Sequence, residues 1–175
     1  RRSSDLASEQ QYLDGVSQIS KAMTREDISA APARAARLAA TLTGATVVLK
    51  GATDVVCGPD DPLYAQPGAP AWRATAGAGD VLAGLLGALL AGWGDELAEL
   101  GKGRGIPARL AAAACYLHGR AAAIASGTIH TTITETSTMG TSVGGSAPDG
   151  HVCGRPIRAT EIAAAIPTAI AESLN

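Results

Sequence analysis

Apolar positions along the chain fall into patterns that predict its elements. In 77–92, which reads GAGDVLAGLLGALLAG, Val81, Leu82, Leu85, Leu86, Leu89 and Leu90 recur at steps of one, three and four. That is the spacing of one face of a 3.6-residue helix. Gly77 and Gly79 precede the face and Asp80 stands where its first turn begins, so the stretch predicts a glycine turn opening into a helix. A second helix is expected from Ala33 to Leu42 with Gly44 as its stop, and a third from Pro107 through Leu110, Ala114, Leu117, Ala121 and Ile124 to Gly127. Thr24 and Asp27 form a T-x-x-D capping signal, and Ser29 with Pro32 a second possible start. Residues 1–23 are polar, with Leu6, Leu13, Val16, Ile19 and Met23 loosely at helical spacing, which predicts a weak surface helix or a partly ordered insertion.

Between these helices the pattern changes. Thr46 to Leu49 is a short apolar run of the kind found in a parallel sheet covered on both faces, and Asp54 to Cys57 is a second strand. Lys50 to Thr53 makes a tight connection, Gly58 to Asp61 is turn chemistry, and Pro62 to Arg73 reads as loop. Gly92 and Gly94 end the leucine helix, and Asp95 to Leu100 predicts a short helix. Residues 127–155 are dominated by Thr, Ser and Gly, too polar to bury much area, and predict a flexible surface insertion. Thr160 is expected to cap a last helix that Pro167 breaks or restarts. This order predicts an α/β layered fold, helices on a mostly parallel sheet, with 1–175 as one domain.

Composition narrows the classes. With 46% hydrophobic and 17% charged residues the chain is globular rather than disordered. The absence of Phe leaves Ala, Leu, Val and Ile to build the core, which favours close helix packing through small residues. A net charge of -2 offers no footprint for nucleic acid or anionic membrane. No apolar run reaches the roughly 18–20 residues of a membrane span, and no hydrophobic leader opens the chain, so a soluble cytoplasmic protein is expected. Cys57, Cys115 and Cys153 lack disulfide or zinc spacing. The chain begins at Arg1 without Met, as it would partway through a longer protein.

Two stretches carry candidate chemistry. Unpaired amides at a helix start, together with the macrodipole, attract anions such as phosphate, and a small-residue turn lets such a group approach. Asp80 also has a plain reading as a helix cap, which stabilises by about 0.3–1 kcal/mol. A cap needs no glycines, however, and Gly77-Ala78-Gly79 carries their entropic cost. Gly84 and Gly87 inside the helix point to a backbone or ligand passing close by. Lys50, at a strand end in a glycine turn, suits a phosphate, though a solvated lysine is an equal reading. His118 reads as a buried structural residue, and His130 and His151 as solvated.

The run TAGAGD at 75–80 followed by VLAG, with VVLKGA at 47–52, YLHG at 116–119, IRATEI at 157–162 and IPTAI at 166–170, resembles the ribokinase-like superfamily, and within it the ADP- or ATP-dependent NAD(P)H-hydrate dehydratases. The resemblance runs from about Thr24 to the end and matches the family's C-terminal half. It implies a ribokinase-like fold and repair of hydrated NAD(P)H. It implies nucleotide binding by Lys50, Gly51, Ala52, Thr53 and Asp54. It also implies that the amides of Gly77, Ala78 and Gly79 hold phosphoryl oxygens while Asp80 acts as base. ADP or ATP, with Mg²⁺ carried on its phosphates, and the substrates NADHX or NADPHX are the implied ligands, and a homo-oligomer is expected. Two alternatives are a ribokinase-like kinase of a vitamin precursor or sugar, and a non-catalytic fragment that needs a partner chain.

Overall fold

A computed structural model describes residues 3–93, 105–128 and 154–174. Two compact units divide the chain, one drawn from Arg1–Gly68 and Leu82–Tyr116, the other from Ala69–Val81 and Leu117–Asn175.

The first unit is layered around a small sheet. Helices α1 (Ser3–Ala22), α2 (Arg25–Ala30) and α3 (Pro32–Thr43) precede strands β1 (Val47–Leu49), β2 (Asp54–Cys57) and β3 (Tyr64–Gln66). The polar N-terminal stretch is thus a full helix, and it packs on α3. A Cβ at Gly15 would run into the Leu42 carbonyl, so glycine sets how near the two helices lie. The capping box forms as its spacing predicts: the Asp27 amide donates to Thr24 Oγ1 at 3.2 Å, and the Thr24 amide to Asp27 Oδ2 at 2.9 Å. The bond from the Thr24 backbone holds the Asp27 carboxyl below its ordinary range. Pro32 opens α3, and Gly44, at φ 69°, ends it in the left-handed region.

β2 is the centre of the sheet and is buried at all four positions. Its alternation sorts the two faces, as the period of two requires. Val55 and Cys57 meet Ala36 and Ala40 of α3 on one side. Val56 meets Leu82, Ala111, Ala114 and Cys115 on the other, with Leu85, Leu86 and Leu89 packed alongside. Those residues come from α4 (Ala78–Gly92) and α5 (Ile106–Ser126). Small residues fill both interfaces, as a core without Phe demands.

The expected mostly parallel sheet is not what the described residues form. The order is β1-β2-β3 and both pairings are antiparallel, Val48 opposite Val56 and Val55 opposite Ala65. Lys50 to Thr53 and Gly58 to Leu63 are too short for a parallel crossover, which takes a dozen residues or more. β1 is accordingly a half-buried edge rather than an interior strand. The stretch read as loop supplies β3, which has no alternation to reveal it and pairs along the other side of β2.

The second unit packs the opening of α4, the later half of α5 and α6 (Ala159–Ser173) around Ala78, Ala121, Ala122, Ile157, Ile162 and Ala169. Fully burying Ile162 contributes roughly 1.5–3 kcal/mol. Arg120 and Glu172 join α5 to α6 by an ion pair of 2.6 Å. Thr160 does not cap α6, because the helix begins one residue earlier. There the Arg158 amide donates to Glu161 Oε2 at 2.9 Å, and that bond, followed by one from Arg155, lowers the Glu161 carboxyl to about 2. Nor does Pro167 break the helix. Ala163, whose carbonyl loses its usual donor, is exposed, so water can satisfy it. The expected short helix at 95–100 and most of the 127–155 tract lie outside the described residues.

Candidate active site

The glycine turn is built by three short bonds. The Ala78 amide donates to the Thr75 carbonyl at 3.2 Å, and the Gly77 carbonyl accepts from Asp80 at 3.1 Å and Val81 at 3.2 Å. Gly77 lies at φ 83°, and a Cβ there would stand 3.2 Å from that of Ala159, so its glycine is required by the turn itself. Ala78 is a core residue, 2% exposed. Its amide is already committed to Thr75, so the expected cradle of three amides narrows to Gly77 and Gly79, both exposed. Asp80 projects from the first turn of α4, exposed at the positive helix end. A carboxylate in that position can take a proton while neighbouring amides receive negative charge.

The second candidate stretch is a β-hairpin connection. Lys50, Gly51, Ala52 and Thr53 are exposed, whereas Asp54 is fully buried at the start of β2. Asp54 Oδ1 accepts the Gly51 amide at 3.1 Å, so this carboxylate closes the turn rather than facing outward. The turn 50–54 belongs to the first unit and 77–80 to the second. Gly84 and Gly87 are exposed on α4, with no described atom within 4 Å of a Cβ built at either.

A cavity of about 410 Å³ is lined by Ala71, Trp72, Ala74, Thr75, Pro156 and Ile157. The only advance signal was a tryptophan placed five residues before Gly77 in a chain with just two.

A family profile described as NAD(P)H-hydrate dehydratase, of carbohydrate-kinase type, matches residues 9–142. The chain belongs to this family. It is 45% identical over 82 residues to the bifunctional NAD(P)H-hydrate repair enzyme Nnr of Mycobacterium leprae, covering 46% of this chain and 15% of that protein. Against Nnr of Mycobacterium tuberculosis H37Rv the identity is 53% over 57 residues, 33% of this chain and 12% of the relative. The ADP-dependent (S)-NAD(P)H-hydrate dehydratase of Neisseria meningitidis is 42% identical over 89 residues, 50% of this chain and 26% of the relative. The chain therefore spans about a quarter or less of the curated relatives it matches. No solved structure matches it at comparable significance.

Within this family frame the remaining candidates find their places. Among the described residues no three His, Cys, Asp or Glu side chains gather as a metal site. His118 is fully buried on α5, in keeping with a structural role, and His130 and His151 lie outside the described residues. Cys57 and Cys115 are buried and not disulfide-bonded among the described residues, and burial pushes the Cys57 thiol up. Among the described residues no helix is long and apolar enough to cross a membrane.

Proposed function

We propose that this chain carries the nucleotide-dependent chemistry of NAD(P)H-hydrate dehydration, returning NADHX or NADPHX to NAD(P)H. Family membership supplies the reaction class, and the observation that carries the reading is the exposed Asp80 carboxylate beside the Gly77 and Gly79 amides at the opening of α4. A hydroxyl leaves poorly from the hydrated ring at neutral pH. When bound, ADP or ATP would supply a phosphoryl group that turns that hydroxyl into a phosphate leaving group; the ring nitrogen's electron pair expels it, and loss of a proton from the adjacent ring carbon to water restores the double bond of NAD(P)H.

The residues have distinct tasks. Asp80 takes the proton of the substrate hydroxyl as the O–P bond forms. The amides of Gly77 and Gly79 receive the phosphoryl oxygens. Lys50 adds a point charge for the nucleotide from an exposed strand end, and Ala52 and Thr53 offer exposed backbone there, the Gly51 amide being held by Asp54. Asp54 serves by holding that turn closed. Mg²⁺ fits this donor set only as an ion carried by nucleotide phosphates and water, its ordinary mode of binding. ADP and ATP are both candidate donors, and the name of the Neisseria relative favours ADP.

Recovery of reduced-nicotinamide absorbance from NAD(P)H hydrate tests the proposal, with ADP and ATP assayed separately. The assay is run on this chain and on a version extended at the N-terminus. Recovery that requires nucleotide and is abolished by Asp80→Asn supports it. Silence from both lengths, or turnover retained by Asp80→Asn, overturns it.

A further inference from the structure

The cavity beside the glycine turn takes no part in the proton and phosphoryl chemistry, yet it is joined to the turn that does. Thr75 lines the cavity and its carbonyl holds the Ala78 amide, so the wall and the turn are one bonded segment. Apart from the Thr75 hydroxyl and the Trp72 indole N–H, the described side chains around the space are apolar. Its volume, about 410 Å³, falls in the lower part of the range of small-molecule sites, roughly 300–1,000 Å³. The space is an open depression, with room for one heterocycle and its sugar.

Trp72 is the feature that gives the space its chemistry. It sits in the 3-10 turn Ala71–Arg73 and is 41% exposed, so much of the indole is turned to water rather than into the core. The next residue, Arg73, is buried, and its amide donates to the Pro70 carbonyl at 3.0 Å within the turn that presents the ring. An indole is a large, stiff π surface, and an apolar space beside it favours a flat partner in offset stacking.

We propose that Trp72 is the stacking wall of a subsite for a planar nitrogen heterocycle, the adenine or nicotinamide ring of a nucleotide whose phosphates reach the glycine turn. The inference rests on the nucleotide-dependent reading above and adds a specificity-determining residue to it. The two rings share this chemistry, and the test separates them.

Trp93→Phe leaves Trp72 as the sole tryptophan. In that background ADP, adenosine and nicotinamide mononucleotide are titrated, following indole emission and heat of binding together, with inorganic pyrophosphate as the phosphate-only probe. The ring that occupies the subsite quenches Trp72 emission. Trp72→Ala weakens that ligand by about 3- to 10-fold and leaves pyrophosphate binding unchanged, while Trp72→Phe restores most of the affinity. Quenching by adenosine assigns the subsite to adenine, and quenching by the mononucleotide alone assigns it to nicotinamide. Heat of ADP binding with unchanged emission, and equal affinity in a Trp72→Ala protein of unaltered circular dichroism, overturns the stacking wall while the nucleotide reading stands. If no probe binds at either chain length, both fall.

Discussion

The turns at 50–54 and 77–80 look alike as sequence and differ in what they do with their aspartate. Each brings glycine to a tight connection and places Asp shortly after it. At 50–54 the carboxylate is buried and accepts the Gly51 amide, so the group that resembled a ligand contact is spent inside the hairpin. At 77–80 the carbonyls of Thr75 and Gly77 bind the turn together, and the Asp80 side chain is left outside. A carboxylate already satisfied by its own backbone has little left to give a substrate, whereas an exposed one at a helix start does. The comparison shows Asp54 turned into its own hairpin and Asp80 left exposed, which is why the proposed chemistry is placed on Asp80.

The largest effect should come from the outward aspartate. Asp80→Asn keeps the size and removes the base, so nucleotide-dependent turnover should fall by about 10²–10⁴-fold while denaturant stability stays within about 0.5 kcal/mol. Equal losses of stability and activity would erase the distinction between the two turns. Asp54→Ala should behave oppositely. Removing the buried acceptor leaves the Gly51 amide without it, and unfolding in urea should show a loss of about 1–3 kcal/mol. A variant as stable as the parent would show that the hairpin closes without its carboxylate. Gly77→Ala probes the conformation of the outward turn. With φ at 83° and the Ala159 Cβ 3.2 Å away, it should lose about 1–2 kcal/mol in the same measurement, and an unchanged midpoint would mean the backbone can move away.

The smallest effect concerns the opening of α6, a helix start where the acid is fully engaged. The Glu161 carboxyl is lowered from 4.5 to about 2 by bonds from Arg158 and Arg155. A depressed folded value means its contribution to stability is present above pH 4.5 and is lost as pH falls toward 2. The stability gap between the parent and Glu161→Gln should be widest near neutrality and close across that window. A gap independent of pH would remove the carboxylate as its source.

Much of the local structure was legible. The Thr24 and Asp27 cap, the Gly44 stop, strand β2, the leucine helix and the Ile106–Ser126 helix follow from spacing and cap chemistry, which act within a few residues. The elements that were missed depend on distant partners. β3 is three unremarkable residues that become a strand only because β2 has a side to offer, and Pro167 is carried through because Ile162 and Ala169 anchor the helix on both sides of it. In the candidate site, residue types and positions were readable, but which amides and carboxylates remain available was not. The Trp72 cavity was invisible because its lining comes from 71–75 and 156–157, some eighty residues apart.

The sequence by itself determined the family, the small-residue core and the placing of Asp80 at a glycine-led helix start, because motif, composition and capping are properties of short contiguous stretches. Only the tertiary structure decided the antiparallel pairing, the inward turn of Asp54, the commitment of the Ala78 amide and the space beside Trp72. Each of these depends on which groups meet after the chain has folded, and burial and hydrogen-bond occupancy exist only then.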